Sequence, residues 1–364
     1  MNPLRNLNLK SIIKFAFVLL TIFFVSCGGD DYTPVIGGDK DNTSNNNGGG
    51  GNNNNGGGND NTGGSNTGGG NEGGGSDNTG GETVGPNTNA NVATTDKAVL
   101  RLEFPALRKT GKQQVIVYRV NDNTTFDADK VNFSVEWDCD KKSQRWSCYQ
   151  MHKGYAGDYN RVTNGTGDKY PQDPQVAPED RYEDQYWRSG FDHGHICPNA
   201  DRTFSYDANF QTFYLTNMQP QYSKFNGSSD NKEYGLWLRM ETQLRNWVNN
   251  LGPKDTIYVC KGGTIDDEKN IIKRINGKLI VPKYFFTAVL RKFYVNGKYE
   301  YLAVGYWCDQ TNEYRTDEKI KNHCMSIEKL QQLTGIDFFC NLPDDIEKRV
   351  EGSFNASQWK WFDN

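Results

Sequence analysis

The sequence predicts an α+β domain with a central, mainly antiparallel sheet flanked by helices. Strand-like runs outnumber helical patterns, and the two do not alternate as they do around a parallel sheet. The residues from Ala93 to Asn364 are also rich in tyrosine, phenylalanine and tryptophan. A segment of about 270 residues with this composition can bury one sizeable hydrophobic core. We therefore expect one folded domain over 93–364.

Short runs rich in β-branched and aromatic residues predict the strands of this sheet. They come in an early and a late group. The early runs are Ala98–Phe104, Gln114–Val120 and Val131–Trp137, and the later runs are Thr256–Cys260, Lys278–Val281, Phe285–Leu290 and Glu300–Tyr306.

Apolar residues recur every three or four positions in Tyr234–Leu251, which predicts the longest helix. Within it Trp237, Glu241 and Arg245 are spaced by four, so they share a face next to the apolar stripe. Two shorter helices are predicted further on. One runs near Ser326–Leu333, and the other follows a proline at position 343, where two acidic residues suit a first turn.

The first 27 residues have the composition of a bacterial lipoprotein signal peptide. Arg5, Lys10 and Lys14 supply positive charge before the apolar run Phe15–Val25, which has signal-peptide length and is short for a bilayer span. We expect Cys27 to be lipidated, so that the protein is exported and anchored by lipid at the cell envelope or cell surface of a bacterium. An ordinary secretory signal and a membrane anchor are the alternatives.

Residues 28–92 consist mainly of glycine, asparagine, serine, threonine and aspartate. Such a segment buries too little apolar surface to offset its chain entropy, so it predicts a disordered Gly/Asn-rich tether. The net charge of the whole chain is only −4. Charge therefore gives no argument for or against a nucleic-acid partner.

Seven cysteines remain if Cys27 carries lipid. An exported protein can form disulfides, and Cys139–Cys148 and Cys308–Cys324 are plausible pairs across polar loops. That leaves Cys260–Cys340 as a third pair and Cys197 as a free thiol, although the sequence does not fix this connectivity. The cysteine spacings do not suit a zinc site.

The most informative stretch is 192–195, which reads Asp-His-Gly-His and holds two of the chain's four histidines. An imidazole is the side chain best suited to take a proton near neutral pH. A histidine in a glycine-containing turn is commonly structural, however. Two other polar residues are equally indecisive alone, because Asn226 belongs to an Asn-Gly turn dipeptide and Glu241 is an ordinary residue for a solvated helix.

The order of these blocks is more specific. Asp192–Asp201, Tyr214–Gln221, Asn226 and Trp237–Glu241 together resemble the sugar-non-specific DNA/RNA endonucleases. These are the ββα-metal nucleases, which include secreted bacterial nucleases and mitochondrial endonuclease G. Weaker likeness extends over roughly 130–352. The resemblance implies that the sheet carries a ββα-metal active-site motif.

The same resemblance implies roles for individual residues. His195 would be the general base that takes a proton from water. Asn226 would be the only direct protein ligand of Mg²⁺, with Mn²⁺ or another divalent ion as an alternative, and Glu241 would orient the water molecules on that ion. The products would carry 5′-phosphates. The family's transition-state arginine is expected at Arg161, with Arg145 as the alternative.

Two departures from the family pattern affect substrate binding. His193 stands where many members have a phosphate-contacting arginine, and a histidine is charged for less of the time near pH 7. Arg188 and Arg202 flank the motif and are candidates for phosphate contacts, although solvated surface charge is the alternative. The segment 228–233 is an acidic insertion relative to the family, and Asn231 within it is a fallback metal ligand.

Together these observations predict an exported, membrane-tethered, Mg²⁺-dependent endonuclease that binds DNA and RNA. Little sequence preference is expected if phosphate contacts dominate, because phosphates carry no sequence information. One alternative is a catalytically weakened fold that only binds nucleic acid or an extracellular polymer. Another is a phosphodiesterase for a different phosphodiester, such as a lipid. The sequence fixes neither the oligomeric state nor the preference between DNA and RNA.

Overall fold

The computed structural model describes residues 85–94, 96–121, 129–155, 157, 159, 161–162, 170–228, 230 and 234–362. The predicted signal peptide with its Cys27 and most of the predicted tether lie outside the described residues. The fallback ligand Asn231 also lies outside them.

Eleven strands are found in the described part of the chain. In chain order they are β1 (Gln113–Arg119), β2 (Val131–Asp138), β3 (Ser143–His152), β4 (Asp192–His195), β5 (Met218–Gln221), β6 (Thr256–Gly263), β7 (Ile271–Ile275), β8 (Leu279–Pro282), β9 (Tyr284–Val295), β10 (Lys298–Asp309) and β11 (Cys324–Met325). Seven of them form one antiparallel sheet in the order β1-β2-β3-β6-β9-β10-β11. Strands β4 and β5 form a separate antiparallel pair, as do β7 and β8. The predicted α+β class with a central antiparallel sheet is confirmed.

The α-helices are α1 (Tyr206–Gln211), α2 (Ser223–Asn226), α3 (Leu236–Asn249), α4 (Ile327–Thr334) and α5 (Asp344–Glu351). The three predicted helices correspond to α3, α4 and α5, with ends shifted by one or two residues. Helix α4 begins after Ser326, whose hydroxyl accepts a hydrogen bond from the Lys329 backbone N–H, and ends at Gly335 in the left-handed region. None of the helices in these ranges combines the length and apolarity needed to cross a membrane.

Alternating side chains give the central sheet two apolar faces. On β6, Ile257 and Val259 point to one core, whereas Tyr258 and Cys260 point to the other. The first core also contains the apolar residues of α3 and the β4–β5 pair, and we call this side the α3 face. The second core contains residues of α4 and α5, and we call it the α4–α5 face.

One predicted strand was wrong, and one long strand was not predicted. Ala98–Phe104 is not a strand, because its only regular element is a 3-10 helix at Lys97–Leu100. Its apolar side chains instead pack into the core of the α4–α5 face. Strand β3 was missed because polar residues such as Gln144 and Gln150 interrupt its pattern, although most of the strand is buried.

The predicted domain boundary at residue 93 is too late. The Asn87 amide donates to the backbone oxygens of Cys340 (3.1 Å) and Leu342 (2.7 Å), and the Thr88 backbone N–H donates to Asp344 Oδ1 (2.8 Å). Residues 85–92 therefore belong to the folded unit. Composition concealed this, because these residues are held by asparagine side chains and not by an apolar pattern.

All seven cysteines among the described residues are free thiols, so the three predicted disulfides are not formed. Cys148 faces Cys260 across the β3–β6 pair, and this places it away from its predicted partner Cys139. Cys197 is free, as predicted, and burial raises the pKa of its thiol to about 12. It is therefore an inert core thiol.

Candidate active site

Strands β4 and β5 present the Asp-His-Gly-His segment to the start of α2 and α3. Their register pairs Asp192 with Gln221 and His195 with Met218. Gly194 is required here, because a Cβ at this position would lie 2.4 Å from the Gln221 side chain. Two strands followed by helices reproduce the ββα arrangement that the resemblance implied.

His195 lies at the end of β4 and is only 1% exposed. Among the described residues neither ring nitrogen has a hydrogen-bond partner. The Phe213 ring and the imidazole pack edge to face, with their ring centres 5.1 Å apart. Trp237 Nε1 of α3 donates a hydrogen bond to the His195 backbone oxygen at 3.3 Å. The packing therefore fixes the ring while leaving both nitrogens for a ligand or reactant.

Electrostatics keep this imidazole neutral. Burial lowers the pKa of His195 well below 6.5, and the positive charges of Arg161 and Lys261 lower it further. A neutral imidazole at neutral pH is the form that can accept a proton.

The structure separates the two candidate arginines. The Arg161 guanidinium lies 5.0 Å from the centre of the same Phe213 ring that contacts His195. Arg145 is instead the extra residue of a bulge between β2 and β3, where its guanidinium lies 2.9 Å from Asp266 Oδ2 and 3.4 Å from Glu136 Oε1. Arg161 is thus beside the candidate base, whereas Arg145 supports the α4–α5 face.

Asn226 ends α2 and is almost fully buried. Its amide nitrogen donates to Asp192 Oδ2 at 3.4 Å, and the same carboxylate accepts hydrogen bonds from Ser223 (2.8 Å) and from Ser228. Because Asp192 holds the nitrogen end, Oδ1 is the atom of Asn226 that can serve as a metal ligand. The sequence had drawn attention to Asp192 without finding this orienting contact.

Glu241 lies in the middle of α3 and belongs to a buried ion network. Its Oε1 lies 3.1 Å from Lys261 Nζ, and its Oε2 lies 3.9 Å from Arg245, which also pairs with Asp201 at 3.0 Å. Burial raises the pKa of Glu241, while Lys261 and Arg245 oppose this rise. We call these four residues the site ion network.

Lys261 was missed as a site residue. It is fully buried on β6, and its Nζ also lies 4.2 Å from the centre of the Trp237 ring. The available signal was its position in the strand, since it continues the alternation of Ile257 and Val259 toward the α3 face. A lysine at an inward position of an apolar strand is rarely left without a carboxylate partner.

His193 is held between two aromatic rings. Tyr170 and Tyr186 stack on its imidazole at 3.7 and 3.8 Å, and its Nε2 lies 3.0 Å from Asp184 Oδ2. The structure gives this residue a packing role in β4, and its phosphate contact stays a prediction.

The two flanking arginines differ sharply in exposure. Arg202 is 2% exposed, its guanidinium packs 4.5 Å from the Tyr149 ring centre, and it donates to the backbone oxygen of Asp201 at 2.7 Å. These contacts give Arg202 a packing role, and its phosphate contact stays a prediction. Arg188 lies in an exposed turn beside Trp187 and stays a candidate.

The donors at the site suit a hard divalent cation. An amide oxygen from Asn226 and a carboxylate from Glu241 are oxygen donors, and the unpartnered nitrogens of His195 lie on the same motif. Asp337, Glu347 and Glu351 form a separate acidic group that could also hold a metal ion. Glu347 and Glu351 belong to α5, so this group lies on the α4–α5 face.

Comparisons with known proteins were made against this geometry. Residues 114–345 match the family described as DNA/RNA non-specific endonuclease, which is dependent on divalent metal. A nuclease from Nostoc sp. is 27% identical over 228 residues, which cover 61% of this chain and 76% of that protein. The mitochondrial nuclease EXOG of Homo sapiens is 27% identical over 222 residues, covering 58% of this chain and 56% of EXOG.

A solved structure of the EndoG/EndoGI complex contains a chain with a similar fold. Its TM-score is 0.50 at 20% identity, and the match covers 70% of this chain and 96% of that one. The chain therefore spans between about half and three quarters of the two curated relatives, and nearly all of the similar structure.

Proposed function

Since the chain belongs to the DNA/RNA non-specific endonuclease family, we propose that it is an exported, membrane-tethered endonuclease that uses Mg²⁺ and leaves 5′-phosphate ends. One observation carries the chemical part of this proposal. The buried imidazole of His195 has no hydrogen-bond partner on either nitrogen within the described part of the chain, and its pKa is lowered well below 6.5. It lies on the same ββα motif as Asn226, and its backbone oxygen accepts a hydrogen bond from α3, the helix of Glu241. Export and tethering rest on the composition of residues 1–27.

The proton-transfer step belongs to His195. Its neutral ring accepts a proton from the water molecule that attacks the phosphorus, and the surrounding packing holds the ring in place. Arg161 has two effects at this position. Its charge adds to burial in lowering the pKa of His195, and its guanidinium would stabilise negative charge developing on the phosphate.

Asn226 Oδ1 would hold the divalent ion, and Glu241 would orient the water molecules bound to it. When bound, the ion supplies positive charge that stabilises the phosphate and the departing oxygen. Lys261 and Arg245 oppose the rise that burial causes in the pKa of Glu241, and their contacts fix the direction of its carboxylate. The orientation of Asn226 depends in turn on Asp192.

The test is cleavage of supercoiled plasmid and of single-stranded RNA by the purified full chain. We expect nicking with Mg²⁺ that EDTA abolishes, and His195→Ala to lower the rate by about 10²- to 10⁴-fold. His152→Ala is the matched control, because this histidine lies at the far end of β3. Ligase should rejoin the nicks without kinase treatment if the ends carry 5′-phosphates.

An absence of cleavage across pH 6–9 with several divalent ions would contradict the proposal. Binding of DNA without turnover, unchanged by His195→Ala, would instead identify a nucleic-acid-binding protein. A preference for lipid phosphodiesters over DNA would identify the third class of function. Cys27→Ser should release the protein from the membrane fraction if that residue carries the anchor.

A further inference from the structure

An exposed tryptophan lies in the turn that precedes β4. Trp187 is 84% exposed, the largest fraction of any large apolar side chain in the described residues. Single exposed apolar residues are common on protein surfaces, so exposure alone decides nothing. Its position in the chain and its neighbours make it informative.

The turn that contains Trp187 packs against β4 through its neighbouring residue. The preceding residue, Tyr186, is buried and stacks on His193 of β4 at 3.8 Å. The Ser189 backbone N–H donates to the Tyr186 backbone oxygen at 2.9 Å and closes the turn. Trp187 is therefore held one residue away from a ring that packs on the strand ending at His195.

A positive charge accompanies the indole. The Arg188 guanidinium lies 5.6 Å from the centre of the Trp187 ring. The turn thus presents a flat aromatic surface together with a cation. An indole face stacks on a nucleobase of any identity, and a guanidinium pairs with a phosphate.

We propose that Trp187 and Arg188 form a stacking platform that holds an unpaired base of the substrate strand and a neighbouring phosphate. This inference rests on the proposed endonuclease function and specifies its substrate class. In a duplex the bases are already stacked on one another, so their faces are not offered to the indole. The platform therefore favours single-stranded DNA and RNA over duplex. Because stacking tolerates every base, it agrees with cleavage at any sequence.

The test compares a labelled single-stranded oligonucleotide with a duplex of the same sequence. For Trp187→Ala we expect KM on the single strand to rise at least about fivefold, with KM on the duplex and kcat changed less than about twofold. Trp187→Phe should restore most of the affinity, because it keeps an aromatic face. Tyr294→Ala is the matched control, since this tyrosine is 41% exposed at the far end of β9.

An unchanged KM on the single strand, or equal rises on both substrates, would overturn the platform. If the wild-type chain cleaves neither substrate, the proposed function fails, and the platform is tested separately by fluorescence anisotropy of the labelled single strand in EDTA. Weaker binding by Trp187→Ala than by Tyr294→Ala would then support the platform. Equal binding of the single strand by both variants would contradict the stacking platform.

Discussion

The two faces of the central sheet each bury an ion network, yet only one of these networks lies at the candidate site. On the α3 face Glu241 pairs with Lys261 and Arg245. On the α4–α5 face Glu136 pairs with Arg145 and with Arg108 at 3.5 Å. We call the second group, which ends at the surface carboxylate of Asp266, the structural ion network.

Burial raises the pKa of the central glutamate in both networks. A buried carboxylate with a raised pKa therefore does not identify the active site. What differs is the surroundings, because the site ion network is on the same face as His195 and Asn226, whereas the structural ion network joins β2 and β3 to the end of α4. Charge pairs stabilise both faces, and the α4–α5 face also carries the acidic group of Asp337, Glu347 and Glu351. The site ion network differs because it accompanies the candidate base His195 and the candidate ligand Asn226.

The largest expected effect comes from removing the proposed metal ligand. Asn226→Ala should lower the cleavage rate on the order of 10³-fold, because several kcal/mol of charge stabilisation depend on the ion. Asn231→Ala should be nearly silent. Measuring rate against Mg²⁺ concentration for both variants checks this. If Asn231→Ala loses cleavage activity and Asn226→Ala keeps it, the metal ligand is Asn231 in the 228–233 insertion and not Asn226.

The two arginines provide the next test of the difference between the faces. Arg161→Ala should lower kcat by about 10²-fold with little effect on folding, since it removes transition-state stabilisation. Arg145→Ala should destabilise the fold by ~1.5–3 kcal/mol while leaving kcat of the folded protein unchanged, since the buried Glu136 carboxylate keeps only Arg108 as a cationic partner. Denaturant unfolding and single-substrate kinetics on each variant check both statements. The reverse pattern would assign the transition-state role to Arg145.

A double-mutant cycle at Lys261 and Glu241 separates stability from activity. Lys261→Met should destabilise the fold by ~3–5 kcal/mol, because Glu241 then loses its closest cation. It should also slow cleavage by about tenfold, as expected when a group that orients a metal's surroundings is lost. Adding Glu241→Gln should restore part of the stability but none of the activity. Recovery of both would mean that the pair is purely structural.

The smallest expected effect is a weak dependence of the cleavage rate on pH between about 7.5 and 6.5. The folded pKa of His195 lies well below 6.5, whereas an imidazole in the unfolded chain has a pKa of about 6.5. The cleavage rate should therefore change less than about twofold between pH 7.5 and 6.5. A midpoint at or above pH 6.5 in the pH–rate profile would contradict this.

The same shift has a consequence for folding. Below pH 6.5 His195 binds a proton in the unfolded chain but stays neutral in the folded protein. The free energy of unfolding should therefore decrease as the pH falls below about 6.5. His195→Gln should remove this part of the pH dependence. Thermal unfolding at pH 5.5 and 7.5 for both proteins measures the difference.

Features that depend on neighbours in sequence were predictable. The spacing of four between Trp237, Glu241 and Arg245 placed them on one face of α3, because a helix repeats every 3.6 residues. The family resemblance carried by the order of the polar blocks likewise implied the ββα arrangement around His195 and Asn226. The nuclease family followed from that order and is confirmed by the match over 114–345.

The tertiary structure decided which distant residues meet. Lys261 reaches Glu241 only because β6 lies at the middle of the sheet under α3, and no local pattern encodes that strand order. A single bulge turns Arg145 toward the structural ion network, and burial withdraws Arg202 from the surface. The predicted disulfides failed for the same reason, since strand register and not loop length sets which cysteines face each other. The local sequence determines short-range periodicity, because helices and strands repeat over a few residues. Long-range contacts depend on how the whole sheet packs.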